Sequence, residues 1–528
     1  MLKKIRLTLA LIFFVGITLL FLDFSGTVQP WLGWMVKLQF LPSLMSLNVV
    51  VLIALLALTL LVGRIYCSVI CPLGVLQDVF ARIGRWKLFR KNKKAKLANK
   101  YSYSKPKTWL RVVVLILFAV MLLAGFNAGA VLLAPYSAYG RMVATMLQPA
   151  YIYINNVLAD WSEAQDNFMF YQVEPHQNPM LLVIVAVVTG LVLFVLAFRN
   201  GRTYCNTICP VGTVLGYVAK FSFAKIRIDE DKCVKCGLCA KNCKAACISI
   251  QKDAPAVIDP TRCIICGDCI EVCNKDAIKH CPAPSALRNK KAATATDNGN
   301  GDLSRRSFLS IVGAATVTAA LKAQEKTTDG GLAEIEDKQI PERKTPLTPA
   351  GSLSARNLQQ HCTACQLCIA NCPNGVLRSN TSLEHFMQPE MQYEKGYCRP
   401  ECTRCADVCP AGAIRPITVE EKSSTQIGHA EWIRENCLPA EEGIPCGNCA
   451  RHCPSGAIQM VPDDDTLTQN EQGQWVDEYG TVLRQDRLIM IPVVNTEKCI
   501  GCGACEYVCP ARPFSAIYVE GHEVHREI

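Results

Sequence analysis

Charge is scarce in this chain. Only 19% of its 528 residues are Asp, Glu, Lys or Arg, against 50% hydrophobic, and no stretch interleaves basic and aromatic residues as a nucleic-acid module does. Histidine is rarer still. None of its eight copies falls in an apolar run, which argues against a haem held by two histidines inside a membrane, and no Cys-x-x-Cys-His attaches one covalently. There is no Gly-x-Gly-x-x-Gly, no P-loop and no pterin or flavin motif, so the chain is not expected to be an enzyme on its own. Ionisable residues are missing from the depths of the apolar runs: Asp23 and Arg111 lie near ends, leaving no evident pump or intramembrane proton relay. What abounds is cysteine, 30 copies. The chain is too long for a small disulfide scaffold and too hydrophobic for disorder.

Four apolar runs occupy 7–24, 44–62, 109–133 and 180–198. Each is long enough to cross a hydrocarbon core of ~30 Å. A signal peptide accounts for the first at most. The connecting segments orient them. Residues 64–107 carry twelve basic residues and one acid, Asp78, while 134–179 carry Arg141 against Asp160, Glu163, Asp166 and Glu174. Basic loops stay inside, so both ends of a four-helix unit face the cytoplasm. The basic run 87–100 follows from that topology, though it also suits anionic lipid.

The unit repeats itself. Gly63-Arg64-Ile65-Tyr66-Cys67 with Cys71-Pro72 follows the second run, and Gly201-Arg202-Thr203-Tyr204-Cys205 with Cys209-Pro210 follows the fourth. Two pseudo-symmetric helical hairpins are implied. Cys67, Cys71, Cys205 and Cys209 then share one membrane face. Either they form an additional four-thiolate metal site, a seventh cluster among the options, or each Cys–Pro pair only shapes a membrane re-entry.

Twenty-four cysteines form six quartets. Two lie before residue 285: Cys233, Cys236, Cys239, Cys243 and Cys263, Cys266, Cys269, Cys273. Four lie in the C-terminal third: Cys362, Cys365, Cys368, Cys372; Cys398, Cys402, Cys405, Cys409; Cys437, Cys446, Cys449, Cys453; and Cys499, Cys502, Cys505, Cys509. Four of the six read C-x2-C-x2-C-x3-C. Three thiolates on a tight loop grip one iron–sulfur cubane, and the fourth, beginning a helix after it, ligates the neighbouring cluster. Zinc sites use separated CxxC pairs, and disulfides have no need of this spacing. Six [4Fe–4S] clusters are therefore expected. Cys247 and Cys281 receive no role.

The fold class is a membrane α-helical unit of four transmembrane helices plus α+β bacterial-ferredoxin-like domains. The expected divisions are a membrane unit (1–220), a cytoplasmic two-cluster domain (221–285), a flexible linker (286–303), a twin-arginine-like segment or fifth anchor (304–324), a linker (325–350) and a four-cluster domain (351–528). Ser304-Arg305-Arg306-Ser307-Phe308-Leu309 before a weakly apolar stretch is similar to a twin-arginine export signal; the alternative is a basic linker helix that stays inside. Residues 351–528 carry 14 basic and 23 acidic residues, a net of −9, which leaves +19 on the rest and favours export.

On these motifs, residues 1–285 resemble the NapH-type membrane ferredoxins, and 304–528 resemble the NapG-type twin-arginine-exported polyferredoxins, stretched third quartet included. The membrane unit is similar also to NosR-like and CcoG-like proteins. Lys244 and Asn274 depart from the pattern, which has proline after the fourth cysteine. The resemblance implies a bacterial inner-membrane protein with four spans, its N-terminus and first ferredoxin domain cytoplasmic and its C-terminal domain periplasmic. It implies electron exchange between the quinone pool and a periplasmic reductase or cytochrome, or, on the CcoG- and NosR-like side, support for assembling a respiratory metalloenzyme. A diffusing quinone would bridge the membrane core, with Tyr136, Tyr139 and Arg141 as contacts or as ordinary interfacial residues. By analogy with four-cluster polyferredoxins, outer quartets one and four pair, as do two and three.

Overall fold

The computed structural model describes residues 2–84, 101, 103–167, 169–175, 178–250, 255–282, 328–329, 333–334, 336–464, 467–470, 472, 474–476, 482 and 488–528. The linker 286–303, the twin-arginine-like segment 304–324 and the basic run 87–100 lie outside them.

The first apolar run is one helix, α1 (Leu2–Leu22). Three short helices follow, α2 (Gln29–Leu32), α3 (Trp34–Lys37) and α4 (Phe40–Met45), and then α5 (Val49–Val62). The unbroken span anticipated over 44–62 is thus interrupted. Asn48 stops it by capping α5, its side chain accepting from the Val51 N–H at 3.2 Å. The first Cys–Pro element forms α6 (Tyr66–Val69) and α7 (Pro72–Ile83), the latter opened by proline, whose missing N–H costs nothing at a helix start.

The second half follows the same plan. The apolar run 109–133 becomes α8 (Thr108–Leu123) and α9 (Asn127–Leu133), separated where Gly125 adopts φ +73°, a left-handed conformation that glycine enters freely. Pro135 then starts α10 (Pro135–Met142), which continues through a wider-wound turn into α11 (Gln148–Glu163). The fourth run is α12 (Met180–Asn200), followed by α13 (Thr203–Thr207) and α14 (Pro210–Ala219). Among the described residues, α1 and α12 are long and apolar enough to cross a bilayer; α5 and α8, at 14 and 16 residues, are shorter.

The first cysteine-rich domain closes with β1 (Ala224–Ile228) antiparallel to β4 (Ile278–Pro282), enclosing α15 (Leu238–Lys241), the small pair β2 (Ile248–Ser249) and β3 (Val257–Ile258), and α16 (Asp268–Glu271). It sits at the N-terminal end of α1. Lys3 pairs with Asp268 at 3.4 Å and also contacts Glu271. Asp78 on α7 receives Arg202 at 2.7 Å, Lys244 at 2.8 Å and Arg6 at 3.5 Å, and Lys244 reaches on to Asp268 at 3.3 Å. Lys244, which departs from the proline pattern, is thus the buried cation that fastens the domain down.

The second cysteine-rich domain sits at the other end of α1. Asn371 donates to the Leu20 carbonyl at 3.1 Å, and Arg404 to those of Phe24 and Ser25 at 2.8 and 2.5 Å. Gln148 donates to Ala370 O at 2.6 Å, and Asn127 to Gln360 O at 3.0 Å. A helix of 21 residues, ~30 Å at 1.5 Å per residue, therefore separates the two domains. The second domain also starts earlier than composition suggests. Arg343 bonds Val519 O at 2.8 Å and Glu506 at 2.6 Å, and Leu347 is fully buried, so this stretch of the expected linker is packed structure. The domain is tied across its width by Thr425–Trp432 running antiparallel to Ile517–Glu527.

Burial alone would raise the Asp78 carboxyl, but Arg202 and Lys244 beside it hold it well below the usual carboxylate range. Its contribution is present above pH ~4 and is lost only as the pH falls further, through the depressed folded-state value. Asp78→Asn strands Arg202 and Arg6 and leaves Lys244 with Asp268 alone, and is expected to cost about 3–5 kcal/mol. A lower Tm at pH 7, with the difference from wild type shrinking in acid, checks this; an unchanged Tm would refute it.

Candidate metal centres

The four quartets with x2-x2-x3 spacing share one backbone solution. The residues on either side of the second cysteine are left-handed: Lys235 and Gly237, Ile265 and Gly267, Ala364 and Gln366, Gly501 and Gly503. For Lys235, Ile265, Ala364 and Gln366 this conformation is costly, ~1–2 kcal/mol each, and it winds the loop so that three thiols face one centre. A one-turn helix follows and carries the third cysteine: Cys239 in α15, Cys269 in α16, Cys368 in Leu367–Ala370 and Cys505 in Ala504–Val508. The short helix therefore precedes the fourth cysteine. A helix beginning there, as the spacing suggested, occurs instead in the N-terminal helical unit, where Cys71 and Cys209 stand just before α7 and α14.

The fourth cysteine crosses to the neighbouring loop. Cys243 lines one apolar cavity with Cys263, Cys266 and Cys269. Cys409 joins Cys362, Cys365 and Cys368. Cys372 lies with Cys398 and Cys405, Cys509 with Cys437, Cys446 and Cys449, and Cys453 with Cys499 and Cys502. Outer quartets one and two thus pair, as do three and four, which corrects the arrangement drawn from analogy. Short hairpins enforce it: Leu377–Ser379 with Pro389–Met391 inside the first pair, and Ile458–Pro462 with Met490–Val494 inside the second. The extra residues of the stretched quartet form the helical turn Leu438–Glu442. The two pairs meet where Cys398 N–H donates to Cys502 O at 2.9 Å.

These sets fit iron–sulfur cubanes. Backbone N–H groups of Ala364 and Ala516 donate to the sulfurs of Cys362 and Cys509 at 3.3 Å, the contacts that tune a cluster's potential. Burial pushes the Cys266 thiol up to about 12 and that of Cys449 to about 11, so their ionisation has to come with the positive charge of bound metal. Among the described residues no three His, Cys, Asp or Glu side chains converge as a single-ion site requires. Cys247, which belongs to no quartet, lies 3.4 Å sulfur to sulfur from Cys243, and its hydrogen bond draws the Cys243 thiol down to about 7. Cys281 lies on β4 opposite Lys225.

Cys67, Cys71, Cys205 and Cys209 are mutual neighbours, each 4% exposed. Tyr136, Tyr139 and Arg141 are not interfacial: all eight residues of α10 are buried. Their types resemble those of an interfacial loop, and only the chain's inward fold at Gly125 and Pro135 reveals otherwise.

A family model described as a 4Fe-4S binding domain matches residues 46–94 and 180–228, and one described as a 4Fe-4S dicluster domain matches 361–437 and 444–512. The latter matches follow the two outer pairs except that Cys437 falls within the first. The methylamine utilization ferredoxin-type protein MauM of Methylorubrum extorquens is 30% identical over 206 residues, 37% of this chain and 82% of MauM. The ferredoxin-type protein NapF of Escherichia coli K12 is 25% identical over 177 residues, 33% of this chain and 87% of NapF. YccM of the same organism, named for electron transport, is 26% identical over 226 residues, 41% of this chain and 54% of YccM, so this chain spans about half of that relative. No solved structure matches.

If the fourth cysteines cross over, Cys409→Ser and Cys368→Ser will perturb the same cluster signal in low-temperature EPR, and Cys372→Ser the signal that Cys405→Ser perturbs. Matching changes for Cys409→Ser and Cys405→Ser would refute the crossing.

Proposed function

The chain belongs to the ferredoxin-type iron–sulfur proteins, and from that premise we propose that it carries electrons across a membrane between the quinone pool and a periplasmic reductase or cytochrome. The observation that carries this reading is the seating of its two ferredoxin domains at opposite ends of α1, a helix of bilayer length. With α5 and α8 lengthened by their neighbouring short helices, the unit has four crossings, the Cys233–Cys273 domain cytoplasmic and the Cys362–Cys509 domain periplasmic. The six quartets hold six [4Fe–4S] clusters, which when bound supply reversible one-electron transfer.

The chain's own residues provide a quinone site of the right character. A cavity of about 940 Å³ opens between α1, α7 and the inner ferredoxin domain, within the size range of small-molecule sites. Leu7, Leu11, Phe14 and Val79 form an apolar wall for an isoprenoid-bearing ring, and Arg6, Asp78, Lys244 and Asp268 offer polar contacts. Lys244 and Asp268 directly neighbour the cluster ligands Cys243 and Cys269 in sequence, so a quinol bound there lies against the inner clusters. Oxidation of a quinol releases two protons to the cytoplasmic side and two electrons, which leave one at a time. Tyr136, Tyr139 and Arg141 are not assigned to this site.

Protein purified anaerobically is expected to carry at least about 24 irons per chain, and a menaquinol analogue to reduce its clusters. Leu11→Trp, filling the cavity, should slow that reduction at least tenfold at unchanged iron content. Clusters inert to quinol would remove the quinone half of the proposal, and iron-free protein all of it. Protection of the C-terminal half from protease in intact spheroplasts would overturn the topology.

A further inference from the structure

A core ~30 Å thick is far for direct electron transfer between inner and outer clusters. The structure fills that gap. The two Cys–Pro elements meet about a pseudo-twofold axis, and each motif's arginine reaches across it. Arg64 donates to the Cys205 carbonyl at 3.3 Å, and Arg202 to the Cys67 carbonyl. The glycines of the same motifs make room for this, since a Cβ at Gly74 would strike Cys67 O and Arg202, and one at Gly212 would strike Cys205 O and Arg64. Three sulfurs of the group already accept hydrogen bonds: Cys67 from Arg64 at 3.7 Å, Cys205 from Gln77 at 3.2 Å and Cys209 from the Gly212 N–H at 3.3 Å.

One buried cation touches the group, and a second lies between it and the outer domain. Arg64 is fully buried, and its partners are neutral: Asn206 at 3.0 Å, the Thr261 carbonyl at 2.9 Å and the contacts above. Arg141, 1% exposed, donates to the Val131 carbonyl at 3.1 Å, and its Nε and Nη2 find no partner. Among the described residues neither arginine is paired with a carboxylate. Arg64, in contact with the Cys67 sulfur and held away from water, requires compensating negative charge nearby. Four thiolates around an iron–sulfur core supply it.

Contacts continue on both sides. Towards the inner domain, Arg64 lies beside Cys263 as well as Cys67. Towards the outer domain, Tyr66 neighbours Cys71 and binds the α4 end through Gln39 at 3.1 Å, while Tyr204 neighbours Cys209 and donates to Leu133 O of α9 at 2.8 Å. The short helices α9 and α10 carry the path onward. Tyr136 has Tyr66, Cys365 and Cys409 as neighbours, and its buried hydroxyl faces the Cys365 thiol. Arg141 lies near both Tyr204 and Cys365.

We propose that Cys67, Cys71, Cys205 and Cys209 hold a seventh iron–sulfur cluster, placed between the inner set Cys243/Cys263/Cys266/Cys269 and the outer set Cys362/Cys365/Cys368/Cys409, so that electrons cross the membrane core through protein. This rests on the iron–sulfur reading above and replaces a quinone as the bridge between faces. One electron arrives from the reduced inner set and one departs to the oxidised outer set; no bond is made or broken and no proton moves.

The test uses the full chain with Cys67→Ser and Cys205→Ser combined. Iron is expected to fall from about 28 to about 24 per chain, with one Mössbauer and EPR component lost and the quartet signals kept. In quinone-free vesicles with a membrane-impermeant reductant, dithionite, on the side of the inner domain, reduction of the outer clusters should slow at least a hundredfold. Unchanged iron, or loss of one metal ion instead of four irons, overturns the cluster, while wild-type protein without iron would condemn the ferredoxin reading itself. Equal reduction rates overturn the route. Should the double variant fail to fold, Gln77→Leu, which removes the hydrogen bond to the Cys205 sulfur, is expected to shift one cluster's spectrum while the six quartet signals stay unchanged; no shift overturns the site.

Discussion

Five thiol sets in the ferredoxin domains depend on a cysteine borrowed from another loop. Three thiols on one winding loop leave the fourth corner open, and the cysteine that closes it stands after a one-turn helix belonging to the partner loop. Folding and metal binding are thereby joined, since neither loop has a complete site until both are in place. The left-handed residues around each second cysteine are the local strain this requires, and bound metal is what offsets it.

The N-terminal helical unit obeys a related rule at larger scale. Its two halves each bring one arginine, one tyrosine, two cysteines and a helix-opening proline to a common axis, and the arginines exchange sides. Buried charge dominates here. The inner ferredoxin domain is fixed through Asp78 and its three cations, so the surface that receives the domain is the same one that supports the Cys–Pro elements. The outer domain is held through backbone carbonyls at the far end of α1, a softer attachment made of neutral acceptors.

The quartets were legible because their chemistry is local: spacing alone decides which thiols share a loop. The symmetry of the Cys–Pro elements was legible for the same reason. What spacing does not carry is partnership between loops, and the analogy that supplied it misassigned the outer pairs; hairpin connectivity at 377–391 and 458–494 decides it. Apolar content in a window is blind to direction, so the turn at Gly125 was hidden inside 25 greasy residues and α10 passed for an exterior loop. Lys244 read as a defect in a pattern because its two carboxylate partners come from distant segments.

The contact between Cys398 and Cys502 has one more implication. It sets the Cys372/Cys398/Cys405 group against the Cys453/Cys499/Cys502 group, a junction between the two outer pairs. Conductors in series have no detour. A damaged link at that junction would part the two outer pairs however sound each remained.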